Sequence, residues 1–340
     1  MPPLMTKQNG GTRTYRITDL RKGDRISGGV FLVEVANFKQ TRNQKYFIQL
    51  SLRDSTGAIK AVRWEATEEL YASFGVDDFL RVSGRVEEFQ SQLQLVIDEL
   101  ERVLPETVDA SLFLPVSDRD PGEMERELRA AVAEMTNPFL RELVLRVIDD
   151  PRILEGLRRC PAGKALHHAY VGGLLEHTCA LIAAARAVAP LYQELDRDIL
   201  YAAAVLHDIG KIDELCYTSN FGYTDPGQLL GHIALGLLIV KEKAAAIPGF
   251  PEDLLVQVQH IIASHHGAPE YGALKLPMTA EAMVFHYLDN LDAKLATLRS
   301  IQREFPPLDA ARANDGAPGK WSDFKPHLSR KVYFPKRESS

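Results

Sequence analysis

Apolar and polar residues alternate along about the first 100 residues of the chain and then follow a helical period. Segments such as KYFIQLSLRD and QLQLVIDELERV alternate in this way and are rich in β-branched and aromatic side chains, as strands are. Turn sequences such as TRNQK and DSTG separate five runs of this kind, and the one helix-like segment, ATEELYASFG, falls between the third and the fourth. The pattern predicts a small five-stranded β-domain followed by a helical domain.

Five strands with a helix after the third are typical of an OB-fold, a small Greek-key barrel that binds oligonucleotides. We predict this barrel for residues 14–104, after a flexible N-terminus at 1–13. Its aromatic rings are candidates for stacking on bases, and its cations for contacts with phosphates. The candidate nucleic-acid contacts are Phe38, Lys39, Arg42, Lys45, Tyr46, Lys60, Arg63, Trp64 and Phe89. Strand alternation sends about half of the rings into the core and turns the neighbours Tyr46 and Phe47 to opposite sides.

The remainder of the chain is predicted to be nearly all helical. Residues 105–160 form a proline-containing linker and connecting helices, in which Asn137 is a helix cap followed by Pro138 in the first turn. An all-α bundle is expected at 161–304, and a basic, aromatic tail at 305–340. The predicted fold class is therefore multidomain, with an all-β OB-fold barrel before an all-α helical bundle.

Composition narrows the class of protein only slightly. An apolar fraction of 45% and a charged fraction of 25% are those of an ordinary globular protein. The net charge of −6 hides a basic stretch, because residues 13–63 hold eleven basic and four acidic side chains, which favours a polyanionic partner. Three scattered cysteines, an N-terminus without a signal-peptide pattern and no run that approaches a membrane span lead us to expect a cytoplasmic protein without a membrane partner.

The adjacent residues His207 and Asp208, in AAAVLHDIGKI, offer a nitrogen and an oxygen ligand, and the carboxylate can bridge two metals. Other histidines and an aspartate lie on separate apolar segments, GGLLEHT, QLLGHIALG, IIASHHG and FHYLDNLDAK. Buried without partners, such groups would cost roughly several kcal/mol each in their charged forms. A metal cluster removes this cost, and mixed imidazole and carboxylate donors suit Mn²⁺, Fe²⁺, Co²⁺ or Zn²⁺.

The motifs LLEHT, LHDIGK, GHIALG, SHHG and DNLDAK resemble those of the HD-domain phosphohydrolase superfamily. An OB-fold, a linker and such a domain in this order resemble the YhaM-type 3′→5′ exoribonucleases, over about residues 14–337. The resemblance assigns a first metal to His177, His207, Asp208 and Asp289, with Asp208 bridging. It assigns a second metal to His232 and to the pair His265 and His266, and leaves open which of these two coordinates.

Several further residues are expected to assist Asp208 in catalysis. Lys211 should lie on the metal-bearing face, where its ammonium would stabilise charge on a phosphate oxygen, or else be a surface lysine near a helix end. His167 and His168 are candidates for a proton donor or a phosphate contact. Asp292 and His286, each three residues from the aspartate of DNLDAK, either orient ligands or are exposed.

The resemblance implies a metal-dependent 3′→5′ exoribonuclease that hydrolyses single-stranded RNA to nucleoside 5′-monophosphates. It implies one or two divalent ions per site, with Mn²⁺ expected first and Co²⁺ or Fe²⁺ as alternatives. Single-stranded DNA as a further substrate and assembly into a homo-oligomer are left open. The main alternative is a phosphohydrolase of small nucleotides whose OB-fold serves assembly or regulation, and a second is a nucleic-acid-binding protein with an inactive catalytic domain.

Overall fold

The structure, a computed structural model, describes residues 6–9, 12–41, 43–90, 92–109, 112–163, 168–216, 222–303 and 320–335. The chain forms two compact units: a barrel unit that extends to Val116 and a helical unit that begins at Ser117. Two predicted site residues, Arg42 and His167, lie outside the described residues.

Five strands of the barrel unit close into a barrel. They are β3 (Arg25–Gln40), β4 (Tyr46–Asp54), β5 (Gly57–Trp64), β6 (Phe79–Phe89) and β7 (Gln92–Val103). The long strand β3 pairs with β4 along one half and with β6 along the other, while β5 pairs in parallel with β7. Helix α1 (Glu68–Ala72) lies between β5 and β6 and is capped by the Thr67 side chain. The predicted OB-fold, with its helix after the third strand, is confirmed.

Two short strands precede the barrel, in the segment for which the sequence predicts flexibility. They are β1 (Thr6–Asn9) and β2 (Thr12–Thr14), which pair with each other in antiparallel fashion. Strand β2 also pairs in parallel with β3, with Arg13 opposite Gly29. Backbone pairing thus extends the sheet by two strands beyond the barrel.

The barrel interior follows directly from the alternation along β4. Ile48, Leu50 and Leu52 are fully buried, whereas the residues between them are half-buried on the outer face. Full burial of each such side chain contributes about 1.5–3 kcal/mol of hydrophobic stabilisation. The same period turns Tyr46 and Phe47 to opposite sides of the strand, as the sequence predicts.

The helical unit is built around α5 and α6. Its helices are α2 (Pro121–Ala133), α3 (Pro138–Ile148), α4 (Pro151–Arg159), α5 (Gly173–Val188), α6 (Arg197–Leu206), α7 (Lys211–Glu214), α8 (Asp225–Ala245), α9 (Glu252–Ser264) and α10 (Ala280–Arg303). Helix α5 packs against α2, α4, α6 and α10, and α6 packs against α3 and α9. The Asn137 side chain caps α3 as predicted, by accepting hydrogen bonds from the backbone N–H groups of Phe139 and Leu140. The expected connecting helices are therefore part of the helical core.

Four short strands complete the described elements. They are β8 (Leu215–Cys216), β9 (Gly222–Tyr223), β10 (Lys320–Trp321) and β11 (Tyr333–Phe334). Strand β10 pairs with β11 in antiparallel fashion, so part of the predicted C-terminal tail has a defined fold.

The stretch Gly173–Leu191, which contains α5, is long and apolar enough to cross a membrane by length and composition alone, with a mean hydropathy of 1.3. This corrects the expectation that no run approaches a membrane span. Leu174, Leu175 and Leu181 of α5 are buried in the helical unit, and the helix also carries a buried His177. Packing inside a helical core accounts for its apolar composition.

Candidate functional site

Five helices of the helical unit bring the seven predicted metal ligands to one place. Helix α5 carries His177, α6 is followed by His207 and Asp208, α8 carries His232, α9 is followed by His265 and His266, and α10 carries Asp289. The ligand atoms form two groups, and within each group all of them lie within 4.8 Å of one another. The first group is His177, His207 and Asp289, and the second is His232, His265 and His266.

The Asp208 carboxylate lies between these two groups. Its Oδ2 atom is 3.2 Å from Nε2 of His207 in the first group. Its Oδ1 atom is 3.5 Å from Nε2 of His232 and 3.6 Å from Nε2 of His265 in the second. One carboxylate therefore offers one oxygen to each group, which is the arrangement that a bridging ligand requires.

Several buried polar atoms of this cluster have no hydrogen-bond partner among the described residues. They are Oδ1 of Asp208, Nε2 of His232, Nε2 of His265 and Nδ1 of His266. An unsatisfied buried polar atom costs about 1–3 kcal/mol of folding free energy. Four such atoms in one cluster would therefore destabilise the fold considerably. Divalent cations would give these lone pairs the missing partner. The residues thus fit a metal centre, and they are the nitrogen and oxygen donors that first-row divalent metals accept.

In four of the histidines, the contacts of Nδ1 turn Nε2 toward the other candidate ligands. Nδ1 of His207 lies 3.2 Å from the carbonyl oxygen of Ala203, and Nδ1 of His265 lies 2.8 Å from that of Ile262. A carbonyl only accepts, so Nδ1 carries the proton and Nε2 keeps its lone pair. The other two, His177 and His232, place Nδ1 against a carboxylate, and Nε2 of His177 also lies 3.1 Å from Oδ1 of Asp289. Such outer partners fix the tautomer and the orientation of metal-binding histidines.

Asp292 orients His177 and connects it to His168. Its Oδ2 atom lies 2.7 Å from Nδ1 of His177 and 2.8 Å from Nε2 of His168. The other ring nitrogen of His168 lies 2.6 Å from the hydroxyl of Tyr170. Asp292 thus has the contact expected of an orienting residue. Because protein groups engage both nitrogens of the buried His168, its surroundings favour a positioning role over contact with a substrate.

Glu214 orients His232, and the sequence did not single it out. Its Oε1 atom accepts a hydrogen bond from the His232 backbone N–H at 2.9 Å and lies 3.1 Å from Nδ1 of the ring. The backbone reaches this geometry because α8 is broken at Gly231, with φ 73° and ψ 158°, a conformation that is essentially restricted to glycine. The Gly–His sequence in QLLGHIALG is the local signal of this break, but the partner carboxylate lies 18 residues away.

Opposing charges decide the protonation of the cluster. Burial alone would lower the pKa of His177, but its hydrogen bonds to Asp289 and Asp292 outweigh burial and raise the pKa to about 9. Burial, together with the nearby His232, lowers the pKa of His266 to about 4. A cation between His177 and Asp289 would replace the proton that this strong pair otherwise holds, whereas His266 is neutral and ready to coordinate at neutral pH.

Lys211 lies on the metal-bearing face, as one of the two sequence alternatives predicts. Its Nζ donates hydrogen bonds to Oδ2 of Asp208 and to the carbonyl oxygen of Ala162, both at 2.6 Å. Burial would lower the pKa of Lys211, but Asp208 outweighs it and raises the pKa. Burial would likewise raise the pKa of Asp208, but Lys211 and His207 hold it well below its usual range. Both groups therefore stay ionised at neutral pH.

The cluster opens into a cavity of about 450 Å³. The residues that line it include Asp208, Lys211, Tyr271, Asp289 and Lys294. His286 is a further lining residue; its Nδ1 atom lies 2.8 Å from the backbone carbonyl of His265, so it supports a candidate ligand through the backbone. The cavity can therefore admit a substrate to the Asp208 carboxylate.

Close backbone packing holds His232 near Asp208, and Gly210 makes it possible. A Cβ atom at Gly210 would overlap the carbonyl oxygen of His232, whereas one at Gly236, on the same helix as His232, would have its nearest neighbour at 3.4 Å. We expect Gly210→Ala to destabilise the protein by about 2 kcal/mol through overpacking. Gly236→Ala should be neutral or stabilising, because alanine favours helix and the space exists. Urea unfolding of both variants measures the difference, and equal stabilities would contradict the packing argument.

One face of the barrel combines aromatic rings with uncompensated cations. Lys39 lies opposite Phe47 in the strand register and Phe47 opposite Trp64, so all three side chains leave the same face. The rings of Phe47 and Trp64 are 5.1 Å apart, and Trp64 is 46% exposed. Lys60 follows on this face of β5, and it and Lys39 bond to amide oxygens. No described carboxylate lies within ion-pair distance of either lysine.

The other nucleic-acid candidates are placed differently. Phe38 packs against the barrel core and stacks on Tyr46, while Lys45 is paired with Glu65 at 2.7 Å. Arg63 is half-buried. Phe89 is 58% exposed at the end of β6. The face of β4 and β5, with the loops beside it, is where OB-folds bind oligonucleotides, so Trp64, Lys39 and Lys60 have the most favourable positions.

Two family models match the chain in the order of its units. The model of the OB-fold nucleic acid binding domain matches residues 25–103, which are the barrel strands. The model of the HD domain matches residues 174–294, which contain all seven predicted metal ligands. The barrel is thus a single-stranded nucleic-acid-binding type of domain, and the helical unit is a divalent-metal-dependent type.

Similar curated proteins have the same name in three bacilli. The chain is 34% identical to the 3′-5′ exoribonuclease YhaM of Bacillus licheniformis over 269 residues, which cover 78% of this chain and 84% of that protein. It is also 34% identical to the protein of that name from Bacillus subtilis, over 78% of this chain and 84% of the relative, and 33% identical to that from Bacillus velezensis, over 81% and 88%. The chain therefore belongs to the family of the YhaM 3′→5′ exoribonucleases.

Proposed function

We propose that this protein is a metal-dependent 3′→5′ exoribonuclease that hydrolyses single-stranded RNA to nucleoside 5′-monophosphates. The observation that carries the proposal is the position of Asp208, which lines a cavity and whose two oxygens face two separate groups of candidate ligand atoms. The barrel favours a polymeric substrate over a small nucleotide, because a face with two adjacent rings and two lysines that have no described carboxylate partner suits a strand.

The proposed cofactor is a pair of divalent ions, and Asp208 would contribute an oxygen to each. His177, His207 and Asp289 would hold one, and His232 with His265 and His266 the other. Mn²⁺ is proposed first, because Asp208 and Asp289 add carboxylate oxygens to the imidazole nitrogens, and Mn²⁺ accepts both. When bound, such ions lower the pKa of a water molecule and stabilise negative charge on a phosphate.

The chain itself contributes position and charge to this reaction. Lys211 keeps Asp208 ionised through a 2.6 Å hydrogen bond, and its ammonium also lines the cavity, where it stabilises charge that grows on a phosphate oxygen. Asp292 and Glu214 contact Nδ1 of His177 and of His232, so that Nε2 of each ring faces the other candidate ligands. His168 supports Asp292 from behind and is proposed as a positioning residue.

A direct test uses a 20-nucleotide single-stranded RNA labelled at its 5′ end, incubated with the protein and Mn²⁺. A ladder that shortens from the 3′ end, with nucleoside 5′-monophosphates as products, is expected. The same oligonucleotide made of DNA tests whether the protein prefers ribose or deoxyribose. An RNA with a blocked 3′ end tests the direction of degradation. An intact RNA beside efficient cleavage of a mononucleotide ester would overturn the proposal in favour of a small-nucleotide phosphohydrolase.

Trp64 on the barrel face is expected to contribute to the binding of RNA. Loss of one base-stacking ring costs about 1–3 kcal/mol, so Trp64→Ala should raise the KM for RNA about 10-fold and leave the hydrolysis of bis(p-nitrophenyl) phosphate unchanged. Trp64→Phe keeps a ring, so its KM for RNA should remain close to that of the parent protein. Tyr192→Ala removes an exposed ring from the helical unit and is the matched control. Equal KM values for Trp64→Ala and Tyr192→Ala would exclude a role of Trp64 in binding RNA.

A further inference from the structure

Residues 320–335 fold into a C-terminal hairpin. Strand β10 pairs with β11, and next to this pair Ser322 is buried. The Ser322 backbone N–H donates to the carbonyl oxygen of Val332 at 2.8 Å, and the Ser322 hydroxyl oxygen accepts a hydrogen bond from the Val332 backbone N–H at 2.9 Å. Nearer the tip, the backbone N–H of Lys325 donates to the carbonyl oxygen of Arg330 at 3.0 Å, across a 3-10 turn at Pro326–Leu328. The tip is thus held by backbone bonds at its base.

The tip of this C-terminal hairpin lines the same cavity as the candidate metal centre. Leu328, Ser329 and Arg330 share that cavity with Asp208 and Asp289. Ser329 has a φ of 53°, a left-handed conformation that is unfavourable for a serine and that turns the chain between Leu328 and Arg330. A strained residue at the edge of a reactive cavity is typical of a segment whose geometry serves the site.

Arg330 places a positive charge at this cavity that no described acidic group neutralises. Its Nε donates to the carbonyl oxygen of Leu328 at 2.9 Å, a contact that does not use the two terminal nitrogens. Within the described ranges no carboxylate lies within 4.0 Å of its guanidinium. Lys211 differs, because its charge is committed to Asp208. Arg330 therefore lines the cavity that Asp208 and Asp289 also line, without forming an ion pair with either of them.

We propose that Arg330 binds a phosphate group of the nucleotide strand held in the cavity, and that the C-terminal hairpin is a working part of the active site. This inference rests on the proposed function. If Arg330 served to neutralise Asp208 or Asp289, it would lie within ion-pair distance of one of them, and it does not. A planar guanidinium with two terminal nitrogens available matches the oxygens of a phosphate in bidentate fashion, which an ammonium cannot do.

The test compares Arg330→Ala and Arg330→Lys with Lys331→Ala, which removes the neighbouring exposed charge that does not line the cavity. With a single-stranded RNA, Arg330→Ala should lower kcat/KM about 10- to 100-fold, and Arg330→Lys should fall between it and the parent. Loss of one phosphate contact should also make the slope of log(kcat/KM) against log[salt] shallower by about 0.7. Lys331→Ala should retain the parent's rate and slope.

Each contrary result has a distinct meaning. If the parent degrades RNA and Arg330→Ala matches Lys331→Ala in rate and in salt slope, the role of Arg330 is overturned while the exonuclease stands. If Arg330→Ala loses activity with an unchanged salt slope and a lower melting temperature, the hairpin is only structural and the inference is again overturned. A parent that leaves RNA intact would instead refute the proposed function.

Discussion

Replacement of Asp208 by asparagine is expected to lower kcat for RNA by on the order of 10³-fold or more. The carboxylate presents one oxygen to each group of candidate ligands, at 3.2 Å from His207 and 3.5 Å from His232. An asparagine keeps the shape and one oxygen, but its other atom becomes an NH₂ donor that cannot coordinate a cation. It also removes the anion that Lys211 pairs with, which leaves a buried positive charge next to the site.

The experiment measures kcat for RNA, the number of metal ions per chain by elemental analysis, and RNA binding by fluorescence anisotropy. Asp208→Asn should lose at least one ion per chain and bind RNA like the parent, because the barrel face is untouched. Asp213→Asn is the matched control: it changes an aspartate five residues away that pairs with Arg152 and is 35% exposed. A rate for Asp208→Asn near that of Asp213→Asn would refute the bridging role.

Local signals in the sequence account for most of the fold. The barrel strands have a period of two, and β4 buries Ile48, Leu50 and Leu52 in the order that the alternation predicts. The metal centre is also marked locally, since His207 and Asp208 are adjacent and the other ligands each lie in a short apolar motif. Each motif contains a histidine or an aspartate, whose side chain is itself a possible metal ligand. The set of candidate ligands could therefore be predicted from the sequence, although the motifs are far apart along the chain.

Contacts between residues that are far apart in the sequence could not be predicted in this way. In the sequence, Glu214 is an ordinary glutamate at the end of a helix. Its contact with His232 depends on the break of α8 at Gly231. Arg330 belongs to a polar tail whose contact with the cavity depends on tertiary packing. Lys45 is one of several equivalent cations in the sequence, and only the structure shows that Glu65 neutralises it. Charge compensation is a property of the fold, so sequence pattern alone does not show which of the candidate cations have a carboxylate partner.

Removal of the metals is expected to abolish RNA hydrolysis and also to lower the melting temperature of the helical unit by about 5–10 °C. A ligand at 100 times its Kd stabilises the folded state by about 2.7 kcal/mol, and 1 kcal/mol shifts the melting temperature of a domain of this size by about 2–4 °C. The ligands come from five helices, among them the helices that carry His177, His232 and Asp289, so bound ions join elements that otherwise meet only through packing.

Calorimetry of the protein before and after dialysis against a chelator, followed by titration with Mn²⁺, measures this effect. Because stabilisation grows as RT ln(1 + [L]/Kd), the melting temperature should rise with the logarithm of the Mn²⁺ concentration once sites are filled. The Asp208→Asn variant should show a smaller rise, since its two groups of ligands no longer share a carboxylate. If the parent protein melts at its original temperature after treatment with the chelator, the four unpartnered buried atoms are tolerated without a metal. The proposal of a metal centre would then be wrong.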